Sequence, residues 1–401
     1  MDKKNKTPNV PNLRFNEFSL PWHQMRIIDL LSFQNGINGT PEQYGKGIKY
    51  ISVGDILNND YITYDKIAGS IDINQETLKN YSVTYGDILF QRSSEIKEDI
   101  GRTNVYLDKN HTATFGGFVI RGKKIGDYNP TFFNYLLKSP SSRQSIVRLG
   151  AGAQHYNIGQ ENIKTLNFYF PDEEEQQKIA NLFSKIDERI QTQIKIISDY
   201  NSLKRGITQC IFNTSQQYSS VHLKVILKEI SRKNKNRDNN NILSVSNSLG
   251  FIKQSEQFED REIASSDTSN YKIVNKNEYA YNPARINVGS IARLQNFDCG
   301  IVSPMYTIFT IDISKITYEY FDLFLQSSTF QKQLSQKLEG SVRQCLTFAS
   351  MQNILIKLPP LETQIEISGK MKFIDSKIKL ESDYLNLLQS EKNHLLKNLF
   401  I

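Results

Sequence analysis

A chain of 401 residues, 38% hydrophobic and 23% charged, has enough apolar surface for packed cores; this excludes wholesale disorder, and the length suggests two or more domains. Lys and Arg (49) exceed Asp and Glu (42), giving a net charge of +7 that permits a polyanionic partner without requiring one. No apolar run reaches the roughly 18 residues of a membrane span, the basic start at 1–8 is not followed by the apolar stretch of a secretory leader, and Cys210, Cys299 and Cys345 lack disulfide or zinc spacing, so a reduced, cytoplasmic protein is expected.

In chain order, short runs bounded by turn residues predict strands at 50–53, 87–90 and 118–120, and a helix is expected at 130–137. Apolar residues then recur at positions 179, 183, 186, 190, 197, 200, 207 and 211, a three-four spacing with a heptad flavour. It predicts a helix of about forty residues, about 60 Å long, and Pro171 with the acidic run 172–175 suits its positive N-terminal end. Residues 232–241 have no periodicity and read as a polar, mobile, partly basic loop. Strands follow at 242–245 and 306–311, a helix at 318–325, and a second long helix after Pro359-Pro360.

The two long segments are copies of one another. Pro171, Gln176, Ile179, Ile186-Asp187, Ile190 and Phe212 fall on Pro359, Gln364, Ile367, Ile374-Asp375, Ile378 and Phe400, in one unbroken register 188 residues apart. Upstream, Phe133, Leu137, Ser139 and Gly152 match Phe321, Leu325, Ser327 and Gly340 at the same shift, and 86–90 lies against 277–281 at a shift of 191. The chain therefore reads as an α+β protein with two similar globular domains and a pseudo-two-fold repeat: domains at 1–170 and 213–358, helical spacers at 171–212 and 359–401. An apolar stripe of that length needs a partner, and the matching stripe is at hand, so the spacers are expected to pair antiparallel as an intramolecular coiled coil. Its seam would hold Ile179, Phe183, Ile186, Ile190, Ile197 and Ile207 against Ile367, Met371, Ile374, Ile378, Leu385 and Leu395, with Lys204 and Lys392 at matching positions. Two ordinary amphipathic core helices are the alternative.

Catalytic signatures fail on inspection. Residues 117–124 approach a phosphate-binding loop, but Lys124 stands where the metal-binding hydroxyl belongs and Phe118-Val119-Ile120 reads as strand. Glu95-Ile96-Lys97, with Asp87 upstream, is half of a nuclease triplet that a solvated loop explains as well. The five histidines are scattered and form no metal pair, and no G-x-S-x-G elbow is present. With no catalytic and no metal residues in view, a binding role follows. Two similar domains with diverged loops could read two half-sites of a linear target at a fixed spacing.

The opening 10–18 with Pro21-Trp22, and the segments 166–190 and 354–378, each running from apolar strand through Pro and acidic-Gln to a helix with an Ile-Asp pair, resemble the specificity (S) subunits of type I restriction–modification enzymes. The resemblance spans essentially the whole chain. It implies a non-catalytic subunit of a bacterial defence system whose two target recognition domains each bind half of a bipartite double-stranded DNA site, while the helices set the gap. It further implies docking of two methyltransferase (M) subunits, which methylate adenine N6, and of restriction (R) subunits. S-adenosylmethionine, ATP and Mg2+ would belong to those partners and none to this chain. On this reading the DNA contacts are expected from Arg92, Lys97, Arg102, Gln154, His155, Tyr156 and Asn157 in the first domain, and from Arg285, Arg293, Arg343 and Gln344 in the second. A coiled-coil scaffold joining two proteins without DNA recognition is the alternative.

Overall fold

The computed structural model describes residues 9–214, 218–247, 249–254, 267–340 and 344–401. It is α+β and divides into two units, one of residues 1–194 with 383–401 and one of residues 195–382. In the first unit a four-stranded antiparallel sheet runs in the order Leu31–Asn35, Val119–Lys124, Ile88–Gln91, Thr103–Val105. The inner strand Ile88–Gln91 is buried throughout because both faces are covered. Ile88 and Phe90 enter a core with helix Pro130–Lys138, while Leu89 points the other way into a smaller core with Ile51 and Phe115.

The second unit repeats this order with Leu227–Ile230, Thr307–Ile311, Tyr279–Tyr281 and Ile291–Arg293. The alternation recurs too: Tyr279 and Tyr281 enter the core shared with helix Tyr318–Leu325, and Ala280 enters the opposite one. The helix starts are capped alike. Asn129 and Ser139 accept backbone N–H bonds at the starts of helices Pro130–Lys138 and Pro140–Val147 in one unit, and Thr317 and Ser327 at their counterparts in the other.

One strand expectation needs correction. The strand predicted at 50–53 ends at Ile51 (strand Tyr44–Ile51), because Ser52 and Asp55 form a capping box that starts helix Val53–Leu57. The stretch 232–241 is a loop, as expected, and mostly exposed; it is pinned at Asn234, which is buried, donates its N–H to Tyr271 O and bonds Asn239 through both ends of its side-chain amide.

The repeated Pro and Gln have a structural role that spacing alone did not reveal. Gln176 is buried; its Oε1 accepts the Asn129 N–H at 3.0 Å and its Nε2 donates to Pro171 O at 2.9 Å. Gln364, fully buried, does the same 188 residues on: the Thr317 N–H donates to its Oε1 at 2.8 Å, and its Nε2 donates to Pro359 O at 2.8 Å and Lys315 O at 2.9 Å. Each glutamine clamps the start of a long helix to the start of a domain helix.

The long helices are Glu173–Gln209 and Leu361–Asn398, about 56 Å each. Within the first unit they run antiparallel: Phe183 stacks on Phe400, while Ile186 and Ile190 pack with Leu388. Lys392 Nζ reaches Asp187 at 2.5 Å in that unit, and Lys204 Nζ reaches Asp375 at 2.6 Å in the other, the same ion pair at repeat-related positions. The seam is uneven. Ile179, Phe183, Ile186, Ile190, Met371 and Ile374 are buried, whereas Ile197, Ile207, Ile367, Ile378, Leu385 and Leu395 are only half-buried. The reason is that the deepest positions are covered by domain side chains as well as by the opposite helix: Ile179 and Phe183 belong to the core around Trp22, Phe132 and Phe170, and Met371 to that around Tyr320 and Phe324. No described helix is long and apolar enough to cross a membrane.

Candidate nucleic-acid interface

In the first unit the chain leaves the buried strand at Arg92, whose side chain is exposed, and continues through Ser93–Ser94 into a loop and short turn, Lys97–Asp99. Ser93–Ser94 pairs with Tyr156–Asn157, and the Ser93 hydroxyl donates to Asn157 Oδ1. Two stretches sixty residues apart in sequence thereby become one surface, which brings together Arg92, Lys97, Gln154, His155, Tyr156 and Asn157. The loop 152–156 is closed at its base by a bridge: Ala151 N–H to Asn157 O at 3.0 Å and Asn157 N–H to Ala151 O at 2.8 Å. The next residue ties it to the strand end, Ile158 N–H donating to Arg92 O at 3.0 Å.

The second unit closes the base of its loop in the same way. Glu339 and Cys345 exchange N–H bonds at 2.9 and 2.8 Å around 340–344, and Leu346 N–H donates to Pro283 O at 3.1 Å, beside Arg285. Gly152 (φ 141°) and Gly340 (φ 106°) start both loops in the left-handed region where a side chain is strained. Arg285 and Gln344 are exposed here; Arg343 lies outside the described residues.

The arginines differ in their freedom. Arg102 is exposed and paired with Asp99 at 2.6 Å, a weak surface contact that DNA could displace. In the second unit Arg293 corrects the expectation of a DNA contact. Its side chain is 9% exposed, and its guanidinium bonds Asp322 Oδ2 at 2.7 and 3.0 Å and Asn277 Oδ1 at 3.1 Å. Asp322 also accepts the Tyr279 hydroxyl at 2.8 Å. Burial pushes its carboxyl above the usual range, with Arg293 pulling the other way. Arg293 thus ties a strand to a helix and has few donors left for a ligand.

Sequence reasoning missed Arg143. From helix Pro140–Val147 it donates to Gly101 O and Ile100 O, each at 2.7 Å, and to Glu98 O at 3.0 Å, holding the turn that carries Lys97 and Arg102. Burial lowers its guanidinium to about 10. No repeat signal marked it, because Gln331 occupies the matching position. Arg143→Met should leave three carbonyls short of a donor, at about 1–3 kcal/mol each where water cannot replace it. Hydrogen exchange should speed up across 96–102 while the central sheet stays protected; unchanged exchange there would remove Arg143 from this role.

The family described as Type I restriction modification DNA specificity domain matches this chain over residues 21–198 and 224–390. A curated relative described as a type I restriction enzyme MjaX specificity subunit, from Methanocaldococcus jannaschii, is 27% identical over 212 residues, 52% of this chain and 49% of the relative. The chain thus matches about half the length of that relative. A crystal structure of a type I restriction-modification S subunit from M. genitalium superposes with a TM-score of 0.55 at 18% identity, covering 98% of this chain and 99% of the other. A chain from a study of assembly and conformational transition in the type I restriction-modification system superposes at 0.60 and 12% identity, covering 94% and 98%. These two likenesses concern the fold, which agrees with two copies of one domain on one chain. With the family pattern found twice and covering most of its length, the chain belongs to the type I restriction modification DNA specificity domain family.

Proposed function

We propose that this chain is the DNA-reading subunit of a type I restriction–modification complex, each unit binding one half of a bipartite double-stranded DNA site. The observation that carries the reading is the duplicated loop base: a glycine-led loop seated on a strand end beside exposed basic and amide side chains, closed by matching bonds in both units and different in residues. Common framing with divergent tips suits two different half-sites. Arg, Asn and Gln can read base edges, and Lys and Arg neutralise phosphates. Arg92, Lys97, Arg102, Gln154, His155, Tyr156 and Asn157 remain the contact set of the first unit, and Arg285, Arg343 and Gln344 that of the second.

In this reading the helix pair sets the gap between half-sites and docks two methyltransferase subunits and the restriction subunits. Those partners would hold S-adenosylmethionine, ATP and Mg2+ and carry the N6-adenine chemistry in the cytoplasm. Docking on the helices has support in a stripe of exposed apolar residues on the second one: Phe373 is 63% and Leu380 58% exposed, where the first helix has Lys185 and Thr192.

The test is a modified-base map of genomic DNA from a host expressing the chain with its methyltransferase, against the same host lacking only the chain. The expected result is a two-part motif with N6-methyladenine in both halves that disappears on deletion. Arg92→Ala should lower occupancy of one half's positions, each base-reading arginine being worth about 1–3 kcal/mol. Identical maps from a host in which the assembled complex is recovered would sink DNA recognition and favour a scaffold.

A further inference from the structure

The segment that imitates a phosphate loop has a different use. Residues 116–119 form a tight turn, Val119 N–H donating to Gly116 O at 2.8 Å, and Phe118 at its tip is 67% exposed. A phenylalanine so exposed beside a sheet that buries most of its neighbours needs a reason. The turn is rigid. A Cβ on Gly116 or Gly117 would collide with the Tyr50 hydroxyl or the Asn38 side chain, so both neighbours press directly on its backbone. It is also placed: Gln91 pairs with Val119, and the next N–H, that of Arg92, donates to Phe118 O at 2.9 Å. Phe118 therefore stands across the ladder from Arg92, whose carbonyl holds the end of the loop 152–156.

The second unit has a turn at the same place. Tyr306 N–H donates to Ser303 O at 3.0 Å, immediately before strand Thr307–Ile311, and Met305 at the tip is 66% exposed. Here Pro304 stiffens the turn by fixing its own φ. Thr307 pairs with Tyr281, which brings Met305 opposite Pro283, the residue whose carbonyl holds the end of the loop 340–344. The residues around the tips have diverged (Gly116-Gly117 against Ser303-Pro304), yet each domain mounts one large apolar side chain on a stiff turn beside its polar loop. Scattered surface apolar residues have no cause to recur at one topological position.

We infer that Phe118 and Met305 are specificity-determining residues, each making the apolar contact of its unit with one base step of its half-site. The inference rests on the DNA-reading function proposed above. Phe and Met are side chains that press into base steps and against thymine methyl groups, and a stiff mount lowers the ordering cost of such a contact. The basic and amide residues alongside supply the phosphate and base-edge bonds that would bring the tip to the groove.

The experiment uses the complex of this chain with its methyltransferase subunits, and duplexes carrying either the mapped two-part motif or that motif with one half scrambled. Phe118→Ala should weaken binding to the intact duplex about 5- to 100-fold and leave unchanged the duplex whose first half is scrambled. Met305→Ala should do the reverse for the second half, and Phe118→Trp should retain affinity. Replacing thymines of the half-site by deoxyuridine identifies a methyl contact if one substitution reproduces the alanine loss and adds nothing to it. If none does, fluorescence of 2-aminopurine at each step locates an opened step that closes in Phe118→Ala. Unchanged affinity of both alanine variants overturns the inference. So does an equal loss on intact and scrambled duplexes, or a loss confined to recovery of the methyltransferase subunits, which would make the tips protein contacts. A wild-type complex that does not tell intact from scrambled DNA removes the DNA-reading function itself, and the inference with it.

Discussion

Phe400→Ala should destabilise the first unit by about 3–5 kcal/mol, the usual range for a buried aromatic reduced to alanine, and leave the second unit nearly unchanged. Phe400 is 4% exposed and belongs to the core of residues 1–194 despite standing next to the C-terminus. Its ring lies 5.6 Å from Phe132, 5.8 Å from Phe183 and 6.4 Å from Trp22, so truncation leaves a cavity between three elements that cannot close together. Native-state hydrogen exchange read unit by unit is the suitable measurement, since a chain of two units need not melt in one step. Protection should fall for the strands around Ile88 and Ile120 and hold around Tyr279 and Phe309. The repeat supplies the control: Phe212 packs against Tyr320 at 5.1 Å and Phe324 at 5.3 Å in the second unit, so Phe212→Ala should show the opposite pattern. Equal losses in both units from either variant would mean the units are not separate cores.

The clamp glutamines should prove nearly as costly. Gln364→Met keeps volume and removes polarity, leaving the Thr317 N–H and the carbonyls of Lys315 and Pro359 without the amide they bond in a site closed to water. At about 1–3 kcal/mol for each buried group left unmade, with partial relaxation, the loss should be about 2–5 kcal/mol in the second unit. Gln176→Met, with two bonds to lose, should cost less in the first. Denaturant unfolding followed by probes placed in each unit would settle it; a shift below about 0.5 kcal/mol for Gln364→Met would show the clamp to be dispensable.

Much of this architecture was legible because it was written twice. The register of 188 residues matched prolines, glutamines, seam positions and terminal phenylalanines, and the structure uses the matched prolines, glutamines and phenylalanines in the same way. The helix ends were readable too, since Pro, acidic residues and Ser or Thr caps act locally. The exit from strand at Ser52 is equally local: Ser-x-x-Asp is a capping signal, and it starts helix Val53–Leu57 despite the β-branched Ile51 and Val53 on either side.

Other features depend on partners far away in sequence. Arg102 and Arg293 fall together at the sequence shift of 191, yet the strand pairing puts Arg102 at the place of Ser290 and Arg293 at that of Val105, so one stays exposed while the other meets Asp322. Phe118 looked like the start of a strand; whether it faces core or solvent depended on the tight turn that places it outside the ladder.

The sequence by itself determined that there are two copies of one α+β domain, each followed by a long helix, since periodicity, caps and an unbroken register are properties of the chain alone. Only the tertiary structure decided which charged side chains are free and which are bound into the frame, how far the helix seam is buried, and which apolar residues stand in solvent at the turn tips. Those outcomes depend on burial and on hydrogen-bond partners brought together from distant segments, and a polar or aromatic residue carries no local sign of which side of the surface it will occupy.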